Sequence, residues 1–187
     1  KGMPAEPVYE LTIKKIASLT SGFGAAHAPI SGRGTGAQTA NAPGFSAHIA
    51  HVRVDLDTGD VELLGYVASQ DVGRALNPAA VEGQVLGAVA QGIGWGLYEQ
   101  IVHNEDGQML SGSLMDYALP KAEHVPPVET VLVEVPSPDG PFGARGVGEP
   151  PVIPVAAAIA NAIHNATGVR PTPRPVTYEA VWGGLAE

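Results

Sequence analysis

The residues whose types and spacing could carry chemistry lie in Gly146-Val-Gly-Glu-Pro-Pro151, a segment with a single carboxylate, Glu149. The glycines before Glu149 free the backbone, and the prolines after it stiffen the chain. An apolar, alanine-rich run over 152–166 follows and is closed by Thr167-Gly168. Because proline suits the first turn of a helix and glycine the position just past its end, the pattern predicts a loop that becomes a helix near Glu149.

Two roles are open to Glu149 at such a position. A carboxylate held by rigid backbone can act as a general base aimed into a pocket. It can also simply favour the positive end of the helix dipole, an interaction of about 0.3–1 kcal/mol. The hexapeptide alone favours the structural role, so the rest of the chain has to decide between the two.

A second candidate group lies on a long predicted helix, with Asn77 as N-cap and Pro78 at its first position, running to about Glu99. Gln84 and Gln91 are two helical turns apart, so both can face one pocket, where an amide suits the edge of a heterocycle. Solvated glutamines on an exposed face fit the spacing equally well. Glycines recur along this helix at about 1 kcal/mol each against alanine, which predicts close packing against a sheet or a cofactor.

No protein-ligated metal is expected. His48 and His51 are three residues apart on a predicted strand and therefore point to opposite faces. The other histidines have no ligand spacing; they are His27, His103, His124 and His164. The glycine pattern at 31–36 is not the dinucleotide-binding fingerprint, so it predicts a long loop that is functional or touches a partner.

The remaining elements complete an α/β (α+β) fold: a mixed sheet built on a hairpin and covered by glycine- and alanine-rich helices. A helix is expected from Pro7 to about Leu19. The hairpin turns at 57–60, and a further strand is ended by Pro136. The alternating strand residues are Ala50, Val52 and Val54, then Val61, Leu63 and Val67, and in the further strand Val131, Val133 and Val135. We expect a helix and glycine-rich loop over residues 1–45 and a core over 46–187.

Composition narrows the class of protein. A net charge of −9 with ten Lys and Arg argues against nucleic acid and against an anionic membrane surface. Without cysteine the chain can hold no disulfide, thiolate zinc site or Fe–S cluster, so a redox centre must be an organic cofactor, use other ligands or belong to another chain. The first residues lack the apolar core of a signal peptide, which predicts a cytoplasmic protein.

Several sequence blocks occur in series along the chain. They are Val54-Asp-Leu-Asp-Thr-Gly59, Asp71-Val-Gly-Arg-Ala-Leu-Asn-Pro78, Glu82-Gly-Gln-Val-Leu-Gly87 with Gln91-Gly-Ile-Gly94, Asp116-Tyr-Ala-Leu-Pro120 and Gly140-Pro-Phe-Gly-Ala-Arg-Gly-Val-Gly-Glu-Pro-Pro151. Taken in order, they resemble the large subunits of the molybdenum hydroxylases, the family of xanthine oxidase, aldehyde oxidoreductase and carbon monoxide dehydrogenase. The resemblance covers most of the chain and matches the C-terminal part of the molybdopterin-binding domain.

The resemblance implies roles for particular residues. Glu149 is the active-site base in the oxidation of an aldehyde or N-heterocycle with water-derived oxygen. Gln84 contacts the pterin, Gly83 and Gly87 let the helix approach it, and Gly148 belongs to the same cofactor-binding set. Molybdenum is held by the pterin dithiolene and takes no protein ligand.

The resemblance also implies partners. These are the remaining parts of the molybdenum subunit, an Fe–S subunit, an FAD subunit and a small-molecule substrate. Bacterial-looking composition favours a pterin carrying cytosine dinucleotide. Arg145 departs from the lysine common in the family at this position, which keeps the charge but changes the shape.

Two other functions remain open on the sequence. One is a non-catalytic structural or assembly chain of the same fold, and the other is a glycine-rich nucleotide-binding module. Turnover after loss of the Glu149 carboxylate separates the enzyme from the structural chain, and affinity for ATP or NAD would favour the nucleotide-binding module.

Overall fold

The computed structural model describes residues 11–21, 23–25, 27–35, 40–172 and 175–186. The chain divides into two compact units, residues 1–37 and 38–187, and the described part of each is taken by itself.

The first unit contains helix α1, Ile13–Thr20, capped by the Thr12 hydroxyl, which accepts a hydrogen bond from the Lys15 amide at 3.2 Å. The predicted start at Pro7 lies outside the described residues. A helix that runs through Thr12 is wrong, because Thr12 is extended and is the N-cap at which α1 begins.

The second unit is built on a three-stranded mixed sheet. Strands β1, Ser46–Val54, and β2, Val61–Asp71, form the predicted antiparallel hairpin. Strand β3, Val128–Val133, lies parallel to β2 on its other side, which gives the order β1-β2-β3. The predicted fold class, a mixed sheet with a hairpin, is confirmed.

An irregularity in β2 decides which of its side chains are buried. His51 pairs with Gly65 and Val52 pairs with Leu63, so Leu64 is an extra residue on β2. This bulge shifts the alternation by one position beyond Gly65. The buried residues of the second half are Tyr66, Ala68 and Gln70 on one face, together with Asp71 at the strand end, whereas the sequence alternation continues through Val67.

Strand β3 differs from its prediction in both bounds and face. The predicted valines Val131, Val133 and Val135 are exposed, and Val135 lies beyond the strand. Val128 and Leu132 pack against the core instead. Both faces of this segment carry apolar residues, so alternation alone could not decide which face turns inward.

Three helices accompany the sheet. Helix α2, Pro78–Leu97, begins as predicted, with the Asn77 side chain accepting from the Ala80 amide at 3.2 Å. Helix α3, Val155–Thr167, ends at Gly168, whose φ of 79° suits glycine. It starts later than predicted, because Pro150–Val152 forms a separate 3-10 turn. Helix α4, Tyr178–Leu185, is capped by Thr177 and has no counterpart among the sequence predictions.

The core lies between the sheet and helices α2 and α3. It includes Tyr66, Val85, Val89, Ile93, Val155, Ile159, Ile163 and Val181. Gly92 allows α2 and α3 to approach, since a Cβ there would overlap the Val155 side chain. The close partner of this part of α2 is therefore a helix, where the sequence predicts a sheet or a cofactor.

No helix in the described part of the chain is long and apolar enough to cross a membrane.

Candidate functional site

Glu149 lies where a loop meets the 3-10 turn Pro150–Val152, and its carbonyl accepts from the Val152 amide at 3.1 Å. Its neighbours fix the backbone on both sides: Val147 packs against the core, and Pro151 is fully buried. The Glu149 side chain is exposed and makes no capping hydrogen bond within the described chain. The carboxylate is thus presented at the surface on a fixed backbone and does not serve as a cap.

Gln84 stands beside this segment. A Cβ built on Gly148, the residue before Glu149, would lie 3.9 Å from Gln84 Nε2. The two elements meet at a cavity of about 220 Å³. Its lining residues are Val72, Arg74, Leu76, Asn77, Ala80, Val81, Gln84, Ala144, Arg145 and Val147. Two predicted site residues from distant parts of the sequence, Gln84 and Gly148, are therefore neighbours.

Four of the five glycines of α2 fall into two groups, while Gly94 lies against Glu99 and Pro120. Gly83 and Gly87 are exposed, and apart from their chain neighbours and the nearby backbone of α2 itself no heavy atom of the described residues comes within 4 Å of a Cβ placed on either. Gly92 and Gly96, in contrast, lie against α3. Gln91 is exposed on α2 and lies outside the cavity that Gln84 lines. The first half of α2 therefore offers an open glycine face next to Gln84.

A buried ion pair, which the sequence does not reveal, lies behind the Glu149 segment. Arg145 Nε is 3.2 Å from Asp71 Oδ2, and each side chain is only 11% exposed. Asp71 ends β2, and Arg145 lies 74 positions later, so no local pattern links them. The available signal is one charged residue at the end of a strand and another within the Gly140–Pro151 block.

The histidines are placed as the strand geometry requires. His48 is half-buried on the inner face of β1, with Nδ1 2.9 Å from the Tyr66 hydroxyl, while His51 is exposed. Burial lowers the pKa of His48 and raises the pKa of Tyr66. Within the ranges that the structure describes, no three His, Asp or Glu side chains are grouped to hold a metal ion.

Residues 9–126 match the model of the molybdopterin cofactor-binding domain family, which is more than half of the chain. The chain belongs to the molybdenum hydroxylase family. The match ends before Glu149, so the family assignment does not itself give Glu149 a role.

Curated relatives extend the likeness beyond residue 126. The chain is 42% identical over 141 residues to the 6-hydroxypseudooxynicotine dehydrogenase complex subunit gamma of Paenarthrobacter nicotinovorans, which covers 74% of this chain and 18% of that subunit. It is 37% identical over 145 residues to a putative xanthine dehydrogenase molybdenum-binding subunit of Escherichia coli, covering 77% and 19%. The chain thus spans about a fifth of the length of these molybdenum hydroxylase relatives.

A solved structure shares the fold. The aldehyde oxidoreductase of Desulfovibrio gigas superposes with a TM-score of 0.71 at 39% identity, covering 77% of this chain and 16% of that one. The fold of this chain is therefore that of a segment of a molybdenum cofactor-binding subunit.

The residues present fit a pterin cofactor. Gly83 and Gly87 leave an exposed part of α2 without side chains, and the adjacent Gln84 amide offers two donors and an acceptor. The chain has no cysteine, which suits a metal held by its organic cofactor and not by the protein.

Proposed function

We propose that this chain forms part of the active site of a molybdopterin-dependent hydroxylase, with Glu149 as the base. The observation that carries the proposal is the exposed Glu149 side chain on a backbone fixed by Val147 and Pro151, directly after Gly148, which lies beside Gln84. A general base needs this combination of fixed position and free carboxylate oxygens.

Each residue has a defined task in this proposal. The Glu149 carboxylate accepts a proton from the water-derived oxygen that is transferred to the substrate. The Gln84 amide binds the pterin edge through hydrogen bonds, while Gly83, Gly87 and Gly148 leave room for it. When bound, the cofactor supplies the redox centre that takes up two electrons from the substrate.

The substrate class is an aldehyde or an electron-poor N-heterocycle. The names of relatives support this class: an aldehyde oxidoreductase, a xanthine dehydrogenase subunit and a 6-hydroxypseudooxynicotine dehydrogenase subunit. All three names describe oxidation of an organic molecule. We propose the pterin cytosine dinucleotide as the cofactor form.

The electrons have to leave through other parts of the protein. The chain contains no cysteine for an Fe–S cluster, so we propose Fe–S and FAD centres in partner domains or subunits. The names of relatives, such as "complex subunit gamma" and "molybdenum-binding subunit", describe members of multi-subunit complexes. Cytoplasmic location remains a prediction.

The test is Glu149→Gln in the complete, cofactor-loaded protein, assayed with aldehydes and N-heterocycles. We expect kcat to fall by about 10²–10⁴-fold, because glutamine cannot accept the proton, while molybdenum content stays unchanged. Glu129→Gln is the matched control, an exposed glutamate on β3. Unchanged turnover by a fully loaded Glu149→Gln protein would refute the base assignment and favour a non-catalytic chain of the same fold.

A further inference from the structure

We propose that Asp71 and Arg145 form a positioning pair that holds the Glu149 segment against the end of β2. The proposal rests on the proposed function, since it concerns the placement of the proposed base. Neither residue is proposed to touch substrate or cofactor, so both would act through Glu149.

Arg145 joins three separate parts of the chain. Its Nε lies 3.2 Å from Asp71 Oδ2 and donates to the Val135 carbonyl at 3.2 Å, and its Nη1 donates to the Pro43 carbonyl. Its backbone amide donates to the Val72 carbonyl at 2.9 Å. One residue thereby ties the chain before β1, the end of β2 and the chain after β3 to a single point.

Asp71 completes the arrangement from the β2 side. Its Oδ1 accepts from the Gly73 amide at 2.9 Å and from the Val135 amide at 3.3 Å. The pair therefore binds Val135 through both backbone groups, Asp71 taking the N–H and Arg145 the carbonyl. A hydrogen-bonded charge pair of this kind is strongly directional, and loss of one partner leaves the other charge buried.

The position of the pair in the chain makes it an anchor for Glu149. Arg145 is followed by Gly146, Val147 and Gly148, and the two glycines give this stretch little stiffness of its own. Gly44 lies against the same place, where its Cβ would sit 3.2 Å from the Asp71 carbonyl and 3.7 Å from that of Gly146. Without the pair, the segment keeps Val147 as its remaining apolar attachment before Glu149.

The shape of arginine matters for this role. The planar guanidinium can serve Asp71, Val135 and Pro43 at once, whereas a lysine ammonium is a compact point charge on a flexible stem. Lysine should preserve the charge balance with Asp71 but hold the three segments less firmly.

The experiment compares variants of the complete, cofactor-loaded protein: Arg145→Gln, Arg145→Lys, Asp71→Asn, and Arg53→Gln as control. Arg53 forms an ion pair with Glu62 between β1 and β2, but it is exposed and far in sequence from Glu149. We expect Arg145→Gln and Asp71→Asn to lower kcat by about 10–100-fold with little change in KM, because a small misplacement of a catalytic group is costly. Arg145→Lys should keep a larger part of the wild-type kcat than Arg145→Gln, and Arg53→Gln should match the wild type.

A second readout follows the segment itself. Hydrogen–deuterium exchange of the peptide covering 143–152 should be faster in Arg145→Gln, intermediate in Arg145→Lys and unchanged in Arg53→Gln. A pair that only supports the fold would instead speed exchange throughout the second unit and lower molybdenum content together with kcat. That pattern, or unchanged kcat in both Arg145→Gln and Asp71→Asn, would overturn the positioning role.

A double variant distinguishes failure of the positioning role of Arg145 from failure of the base assignment of Glu149. If Arg145 acts through Glu149, adding Arg145→Gln to Glu149→Gln should cause no further loss of turnover, because residues that act as a unit are not additive. If the loss of turnover in the double variant equals the product of the two single losses, the positioning role is overturned while the base assignment stays intact. Normal turnover in Glu149→Gln alone would refute the base assignment first.

Discussion

Burial shifts the pKa values of two side chains that contact each other, His48 and Tyr66. Tyr66 is almost fully buried, its ring meets His48 edge-on at 5.5 Å, and the hydroxyl is 2.9 Å from Nδ1. Desolvation lowers the pKa of His48 and raises the pKa of Tyr66, so the folded protein favours the neutral form of both. The pair should therefore link stability to pH in two separate ranges, an acidic one through His48 and an alkaline one through Tyr66, whose contribution is lost as pH rises from about 10 towards the folded-state pKa.

The first range is acidic. Because the unfolded chain binds a proton at His48 more readily than the folded chain, stability is present above about pH 6.5 and is lost as pH falls towards the folded-state pKa. We expect thermal unfolding midpoints to drop less between about pH 7 and pH 5 in His48→Asn than in the wild type.

The control is His51→Asn, the same change at an exposed position on the opposite face of β1. It should keep the wild-type slope. Equal slopes in all three proteins would show that the burial of His48 has no effect on acid stability.

Single residues also show where sequence reasoning succeeds. The position of Glu149 at the start of a turn follows from local chemistry, the glycines before it and the prolines after it. The Asp71–Arg145 pair does not, because it joins residues 74 positions apart and depends on how β2 meets a distant loop. Gln84 and Gly148 were each singled out by motif, but their proximity is a property of the fold.

At the scale of elements, α2 has two faces that use glycine for different purposes. Gly92 lies against the Val155 side chain, so any added carbon there displaces α3. Gly87 faces open space among the described residues. The same residue type thus serves helix packing at one end and leaves an uncovered surface at the other.

Matched alanine substitutions should separate these uses. We expect Gly92→Ala to lower the free energy of unfolding by about 1–3 kcal/mol through overpacking. Gly87→Ala should raise it by up to about 1 kcal/mol in cofactor-free protein, because alanine favours the helix. Chemical denaturation measures both, and equal effects would contradict the distinction.

Gly87→Ala also bears on the cofactor. In the complete protein it should reduce the molybdenum-to-protein ratio, since the added methyl group occupies the space proposed for the pterin. A normal molybdenum-to-protein ratio would show that Gly87 is not needed for cofactor binding, and the packing role of Gly92 would be unaffected.

Elements with strong local signals were predictable. Asn77 and Pro78 define the start of α2, and Gly168 defines the end of α3. The inward face of β3 was not predictable, because Val131 and Val133 are as apolar as Val128 and Leu132. The bulge at Leu64 was equally hidden, since Gly65 interrupts the alternation without saying where it resumes.

At the scale of the whole molecule, large apolar side chains remain at the surface. Among the described residues these include Leu114, Met115, Phe142, Ile153 and Trp182. Exposed apolar surface of this kind marks interaction sites. Together with coverage of about a fifth of the relatives' length, it supports the proposal that other parts of a molybdenum subunit cover this surface.

The corresponding measurement is the molybdenum-to-protein ratio, by elemental mass spectrometry, of natively purified material with all associated chains. We expect a ratio near one if, as we propose, neighbouring parts of the subunit complete the cofactor site. An intact multi-chain complex without molybdenum would favour the structural chain over the enzyme. Iron in the same sample would support the proposed Fe–S partner.

The parallel pairing of β2 with β3 has a consequence for how the protein folds. Strands β1 and β2 are joined by a short turn, but β3 can pair only after residues 72–127 have been placed. Closing such a long connection costs chain entropy before the contacts form. The Asp71–Arg145 pair needs still later residues, so the Glu149 segment should settle on a scaffold that is already assembled. We therefore expect the proposed catalytic loop to become ordered late in folding, after the sheet and α2 are in place.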